Sequence, residues 1–217
     1  MIRLLTKLQD IPYPIPITME STPIAQRGPT GITKTRATVV MLIRIAPLRI
    51  KPGSKRSLAP EDTIAVTVHP IAQGIAGQEL NSRSYLSKII LHQPNYLFNY
   101  SNIGYQSYFV DQNALDLMRK LYFDVYRVGE IQKDITQVEP IVRNADLLSF
   151  DVSAIRQSDA PGNKNVSPNG LYGEEGCQIA RYAGMSDKLS AIGFFELNPE
   201  RDMYDQTAHL VAQMIWY

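Results

Sequence analysis

Two nearly continuous apolar runs constrain the fold of this chain more than any other sequence feature. Residues 146–152 read D-L-L-S-F-D-V, and residues 191–197 read A-I-G-F-F-E-L. Such runs, without regular polar alternation, are typical of strands buried on both faces of a parallel sheet. The surrounding pattern predicts a strand at 96–103 and helices at 82–91, 114–129, 131–138, 174–183 and 205–217. This alternation predicts an α/β layered fold with a mostly parallel sheet.

The composition changes near Gln78 and suggests two parts. Residues 1–78 contain ten Lys/Arg and four Asp/Glu, nine of the fourteen prolines, and one aromatic residue, Tyr13. Residues 79–217 contain twelve Lys/Arg and seventeen Asp/Glu. We therefore predict a basic, proline-rich segment at 1–78 and a separate folded part at 79–217.

The first part has few residues from which to build a core. Two stretches rich in β-branched residues, Ala37–Ile45 and Thr63–Val68, are candidate strands. Three interpretations stay open: a partly disordered extension, a nucleic-acid-binding arm, or sequence read out of frame and joined to unrelated coding sequence. The arm would use a cluster of basic residues: Arg44, Arg49, Lys51, Lys55 and Arg56.

Charge and cysteine content restrict the function classes. The formal net charge of +1 predicts neither nucleic-acid nor membrane binding from the overall field. A single cysteine, Cys177, excludes an internal disulfide framework and a multi-cysteine zinc site, so a reducing, cytoplasmic setting is expected. We interpret Cys177 as a small buried residue, because no histidine or other base lies near it in sequence.

Acidic residues end both apolar runs. Asp151 ends the first run and Glu196 lies near the end of the second. Because ligands bind at the carboxyl ends of strands in open α/β sheets, these two carboxylates are a candidate site for a cation or a guanidinium group. The alternative is that each carboxylate caps the turn or helix that follows it.

The residues around these acids resemble the ureohydrolase superfamily, which contains arginase, agmatinase and formimidoylglutamase. Residues 149–162 (S-F-D-V-S-A-I-R-Q-S-D-A-P-G), then Gly170, then Glu175-Gly176, are similar to the pattern S-F-D-x-D-x-x-D-P-x-x-A-P-G followed by a glycine and E-G. Phe195–Pro199, with Asp202, resembles a later E-x-N-P-x-x-D segment of the family. Ile103-Gly104 resembles an I-G-x-R-like turn, with Gln106 at the arginine position. The resemblance covers residues 79–217, the C-terminal part of such a protein.

The resemblance implies a three-layer arginase-like fold, incomplete in this chain, and a homo-oligomer. It implies hydrolysis of a linear amidine or guanidine C–N bond by two Mn²⁺ ions that share a hydroxide. Carried onto this sequence, it makes Asp151 a metal ligand and Glu196 the residue that holds the amidine nitrogens of a small-molecule substrate.

Several positions depart from the pattern. Ser153 stands where the second metal-binding acid is expected, and Arg156 and Gln157 replace the Asp-Pro pair. The family's upstream G-G-x-H and D-x-H-x-D motifs are missing from the sequence. The chain has three histidines. His69 has no flanking acid at the required spacing, His92 is interpreted as a surface or packing residue, and His209 as a structural residue of the last helix. We therefore expect this chain to lack most of the metal ligands, and we assign no catalytic residue.

Two functions remain open at this point. One is the family's Mn²⁺-dependent hydrolysis of an amidine or guanidine. The other is a non-catalytic role, either as a pseudoenzyme or as a fragment with a structural or interaction role.

Overall fold

The computed structural model describes residues 17–20, 39–43, 63–70, 85–90, 97–110 and 112–217. These residues form seven β-strands: β1 (Ile17–Glu20), β2 (Val39–Ile43), β3 (Thr63–Val68), β4 (Leu97–Tyr105), β5 (Asp124–Arg127), β6 (Leu147–Asp151) and β7 (Ala191–Leu197). They also form six α-helices: α1 (Tyr85–Ile90), α2 (Gln112–Lys120), α3 (Val128–Lys133), α4 (Val138–Arg143), α5 (Gly173–Gly184) and α6 (Gln206–Trp216).

The strands form one sheet in the order β1-β2-β7-β6-β3-β4-β5. The five strands from β3 to β7 are parallel, while β2 pairs antiparallel with β7 and β1 pairs antiparallel with β2. The predicted α/β fold with a mostly parallel sheet is therefore confirmed. The chain runs outward from β3 to β4 and β5, then returns to β6 and continues to β7 on the other side.

Helices cover both faces of the sheet, which gives three layers. On one face, the largest core cluster joins strand residues such as Phe150 and Phe194 to Ile131, Val142 and Ile179 of the helices. On the other face, Leu86 of α1 and Met118 of α2 pack on β4. This division is the one that right-handed crossovers produce, because the direction of progress along the sheet reverses after β5. No helix in the described ranges is long and apolar enough to cross a membrane.

Most elements lie close to the positions that the sequence predicts, with two errors. The predicted helix 131–138 is not continuous, because it spans the end of α3, a 3₁₀ turn at Ile135–Gln137 and the start of α4. The predicted strands at 96–103, 146–152 and 191–197 are β4, β6 and β7, and both candidate strands of the first part contain strands, β2 and β3. The predicted helix 114–129 is wrong in its second half, because α2 ends at Lys120 and β5 follows. Tyr122 adopts a left-handed conformation (φ 58°) that ends the helix. The basic residues proposed for a nucleic-acid arm lie outside the described residues.

Strand β3 lies in the middle of the sheet although it precedes the predicted boundary at residue 78. It pairs in parallel with β4 on one side and β6 on the other. At its amino end, the backbone N–H of Ile64 donates to the Asp146 carboxylate at 2.9 Å, and the N–H of Asp146 donates to the Ile64 carbonyl at 2.8 Å. This part of the proline-rich segment therefore contributes to the sheet core. The division of the chain at residue 78 stays a prediction.

The long loop between β6 and α5 is folded back on itself through close backbone contacts. The N–H of Arg156 donates to the Leu171 carbonyl at 3.0 Å, and the N–H of Leu171 donates to the Ala154 carbonyl at 2.9 Å. A Cβ added at Gly170 would lie 2.6 Å from the Ala154 carbonyl oxygen and 2.8 Å from the Arg156 nitrogen. Glycine is required at this position because both obstructing atoms belong to the backbone and cannot rotate away.

Gly170→Ala should destabilise the protein by about 1–3 kcal/mol, because the added methyl group forces the two loop segments apart. Gly129→Ala is the matched control: Gly129 lies in α3 and a Cβ there meets no atom within 4 Å. The control should be neutral or stabilising by about 0.5–1 kcal/mol, since alanine favours the helix. Urea unfolding of both variants measures the two changes, and equal stability of the two would contradict the close packing at Gly170.

Candidate functional site

The direction of the chain reverses between β3 and β6, which lie side by side in the sheet. From β3 the chain continues to β4 on one side, and from β6 it continues to β7 on the other. The carboxyl ends of β3 and β6 are therefore the topological switch point of the sheet, which we call the crevice. In open α/β sheets this crevice is where ligands bind.

A histidine and an aspartate meet at this crevice. The register pairs Thr67 with Ser149 and Val68 with Phe150, so the next residues along the two strands are His69 and Asp151. The His69 Nε2 lies 3.0 Å from the Asp151 Oδ2, and both side chains are about nine-tenths buried. The other carboxylate oxygen accepts a hydrogen bond from the backbone N–H of Ser153 at 2.7 Å. Both oxygens of Asp151 therefore have partners within the protein.

Sequence reasoning missed His69, because it looked for an acid close by in the chain. The partner of His69 lies 82 residues later and is brought to it only by the pairing of β3 with β6. The backbone of His69 is also fixed, since its N–H donates to the Ile103 carbonyl of β4 at 3.0 Å. The signal in the sequence was a polar residue directly after a candidate strand, the same signal that identified Asp151.

Glu196 lies at the carboxyl end of the next strand. Phe195 of β7 pairs with Asp151, which places Glu196 one residue beyond that pair along the strand. Its backbone is left-handed, with a φ of 66°, a conformation that non-glycine residues rarely adopt. Such strained residues cluster at ligand sites. The structure thus brings the two acids found in the sequence to neighbouring strand ends.

The loop after β6 and the start of α6 are locked together, and this lock holds the segment that carries Glu196. The N–H of Gly162 donates to the Thr207 hydroxyl at 2.7 Å, and the Gly162 carbonyl accepts from the N–H of Asn198 at 2.7 Å. The Asp202 carboxylate accepts from the N–H groups of Thr207 and Ala208, both at 2.8 Å, and so caps α6. A Cβ at Gly162 would lie 2.7 Å from Asp202. The two separate sequence motifs therefore form one packed unit.

Arg156 is held by the loop that contains it. Its Nε donates to the Asp159 carboxylate at 2.9 Å, and its guanidinium group lies 4.1 Å from the centre of the Tyr172 ring. Burial alone would raise the pKa of Asp159. Hydrogen bonds from Arg156, from the N–H of Gly173 and from Ser158 outweigh this effect, so the pKa lies below its ordinary value. The positive charge of Arg156 is therefore paired with Asp159 within the loop.

The donor set at the crevice differs from the two-manganese site that the resemblance implies. In the parts of the chain that the structure describes, no group of three or more His, Cys, Asp or Glu side chains could hold a metal ion. His69 and Asp151 are suitable ligand types for Mn²⁺, but two ligands are too few for a pair of ions. The described residues therefore do not fit a two-manganese site.

The other singled-out residues lie away from the crevice or outside the described ranges. Cys177 is buried in α5, as expected. The pKa of its thiol is raised mainly by burial and, to a smaller extent, by the negative charge of Glu174. His209 is exposed on α6. His92 lies outside the described residues.

These features define a three-layer α/β protein with polar side chains gathered at the switch point of a mostly parallel sheet. The model of the Arginase family matches residues 72–217, well over half of the chain. The chain therefore belongs to the arginase family.

Individual relatives match over shorter stretches. The chain is 26% identical over 95 residues to a formimidoylglutamase of Bacillus subtilis, which covers 42% of this chain and 30% of that protein. It is 30% identical over 93 residues to a formimidoylglutamase of Staphylococcus haemolyticus, covering 42% of this chain and 29% of that protein. These matches span about a third of the relatives' length or less.

Solved structures share the fold. The formimidoylglutamase of Bacillus subtilis superposes with a TM-score of 0.62 at 17% identity, covering 70% of this chain and 51% of that one. The formiminoglutamase of Trypanosoma cruzi, solved with Mn²⁺, superposes with a TM-score of 0.64 at 17% identity, covering 72% of this chain and 55% of that one. The three-layer arginase-like fold predicted from the resemblance is therefore confirmed, over about half of each structure.

The ion pair of Arg156 and Asp159 should make the loop sensitive to acid. Because the folded-state pKa of Asp159 lies below its ordinary 3.8, its stabilisation is present above that value and is lost as pH falls through the folded pKa. Asp159→Asn should lower the melting temperature at pH 6, and the difference from wild type should shrink toward pH 3. Asp116→Asn, which removes an exposed pair with Arg119, is the control and should change little. A difference that stays constant with pH would contradict this role of Asp159.

Proposed function

We propose that this chain binds a small amidine or guanidine compound at the crevice between β3, β6 and β7 and does not hydrolyse it by two-manganese chemistry. One observation carries the proposal. The Asp151 carboxylate, at the position of a family metal ligand, is engaged by His69 and by the N–H of Ser153. Ser153 itself stands where the resemblance expects a second acid.

The ligand class follows from the charges at the crevice. Asp151 and Glu196 place two carboxylates at neighbouring strand ends, and carboxylates bind planar amidinium and guanidinium groups through paired hydrogen bonds. The family membership and the relatives named as formimidoylglutamases support the same class. We assign Glu196 to the nitrogen atoms of the ligand. Its strained backbone supports a binding role, since a strained residue costs about 1–3 kcal/mol and persists where the surroundings impose it.

The second candidate is the hydrolysis that the family resemblance implies. It is favoured by the contact between His69 and Asp151, because an imidazole and a carboxylate are both ligand types that Mn²⁺ accepts. In that case Asp151 and His69 would be two of the metal ligands. The bound metal would activate water for attack on the amidine carbon.

Metal content separates these candidates. The full chain is loaded with excess Mn²⁺, dialysed, and measured for manganese per chain. The proposal predicts far less than one ion per chain, with no further loss in Asp151→Asn. About two ions per chain in the wild type, reduced in Asp151→Asn, would establish the hydrolytic candidate instead.

Binding of methylguanidinium tests the role of Glu196. Glu196→Gln keeps the shape of the side chain but removes its charge, and a hydrogen bond to a charged group contributes about 1.5–3 kcal/mol. We therefore expect the dissociation constant, measured by calorimetry, to rise by roughly 10–100-fold. Glu200→Gln, an exposed glutamate in the following turn, is the control and should bind as the wild type does. Equal affinity of Glu196→Gln and wild type would remove Glu196 from the site.

The cytoplasmic setting and the homo-oligomeric state stay predictions from the sequence, as does the absence of nucleic-acid and membrane partners.

A further inference from the structure

An apolar cleft begins directly below the crevice and runs along the sheet. Leu148 and Phe150 belong to the core under α3–α6. Because side chains alternate along a strand, Ser149 and Asp151 lie on the opposite face, the one that carries α1 and α2. The cleft lies on this face and has a volume of about 210 Å³.

The floor of the cleft is made mostly of small residues, and its walls are apolar. The floor comes from β3, β6 and β7, and the residues are Ala65, Thr67, Leu147, Ser149, Ala191 and Gly193. The walls include Leu86 and Ile89 of α1, Leu97 of β4 and Phe195 of β7. Among the side chains that the structure describes, none that lines the cleft is charged. The small floor residues leave the space that larger side chains would fill.

The Thr67 hydroxyl on the floor is matched within the protein. The hydroxyl groups of Thr67 and Tyr100 lie 2.5 Å apart and hydrogen-bond to each other. The side-chain N–H of Asn102 also donates to the Thr67 hydroxyl, at 3.3 Å. A molecule in the cleft would therefore meet mostly apolar surface and a threonine hydroxyl that already has partners.

The cleft and the crevice are continuous on the same sheet face. Ser149 lies in the floor of the cleft, and Asp151 is the next residue of β6 on that face, about 7 Å further along. Phe195 lines the cleft and is followed directly by Glu196. The floor of the cleft therefore ends next to the two strand ends that carry Asp151 and Glu196.

We propose that the ligand of this site is an amidine or guanidine with an uncharged, apolar tail, which lies in the cleft while its cationic group contacts Glu196 beside the His69–Asp151 pair. This inference rests on the proposed function and specifies its substrate class. Charge complementarity fixes the orientation, because the carboxylates are at the crevice end and the described side chains that line the cleft carry no charge. A tail that ends in a charge would have to be desolvated in the apolar cleft without a partner.

Binding of alkylguanidinium ions to the full chain tests the tail. Each buried methylene contributes about 0.8 kcal/mol, which is roughly a fourfold change in affinity. We therefore expect n-butylguanidinium to bind at least tenfold more tightly than methylguanidinium. 4-Aminobutylguanidinium, which adds a terminal charge to the same chain, should lose this gain.

A variant that fills the cleft links the effect to the structure. Ser149→Leu places a larger side chain on the floor about 7 Å from Asp151, within reach of a butyl tail, so n-butylguanidinium should lose most of its advantage while methylguanidinium binds as before. Asn144→Leu adds the same side chain at an exposed position at the end of α4 and should leave both affinities unchanged. If Ser149→Leu does not fold, the comparison of the three ions on the wild type still decides the question.

The outcomes distinguish the two proposals. Equal affinity of the wild type for methylguanidinium and n-butylguanidinium would overturn the apolar-tail inference and leave the proposed function intact, as would tightest binding of 4-aminobutylguanidinium. No binding of any guanidinium ion would overturn both.

Discussion

The pairing of β3 with β6 is the constraint on which the rest of the structure depends. It joins two segments that are 82 residues apart in sequence. At one end of the pair, the Asp146 carboxylate accepts a hydrogen bond from the backbone of Ile64, and at the other end the Asp151 carboxylate contacts the His69 imidazole. It also fixes the reversal of chain direction, which puts α1 and α2 on one face and α3–α6 on the other. Without this pair there would be no crevice at the carboxyl ends and no shared sheet face beneath it.

A second constraint is the lock between the loop after β6 and the start of α6. Gly162 bonds to Thr207 and Asn198, and Asp202 caps α6. This explains why two motifs separated by more than thirty residues occur together in the sequence: each supplies half of one packed unit. The strained backbone of Glu196 lies two residues before Asn198, so the lock limits how far that backbone can relax.

The sequence predicts those parts of the fold that local patterns determine. Strands β6 and β7 are recognisable because burial on both faces removes polar alternation, and α5 because Glu174 and Gly184 mark its ends. Strand β5 is missed because it has only four residues and because Val125 keeps the helical spacing of the apolar residues in α2. The left-handed backbone of Tyr122, which ends the helix before Val125, leaves no mark in this spacing. The contact of His69 with Asp151 is missed because its cause is strand order, which no local pattern contains. Asp151 and Glu196 are found because each ends an apolar run.

The chemistry of the crevice depends on how Asp151 is shared. A carboxylate buried without a partner is costly, so some cation must stand beside Asp151 or some donor must satisfy it. In a two-metal site the ions would fill this role, and several more acidic and imidazole ligands would surround them. Here a single imidazole and one backbone N–H satisfy both oxygens, and Ser153 adds no charge. With Arg156 already paired to Asp159, Glu196 is the further acid that the described residues place at this edge, and a site built on one such carboxylate suits a singly charged organic cation better than a pair of divalent ions.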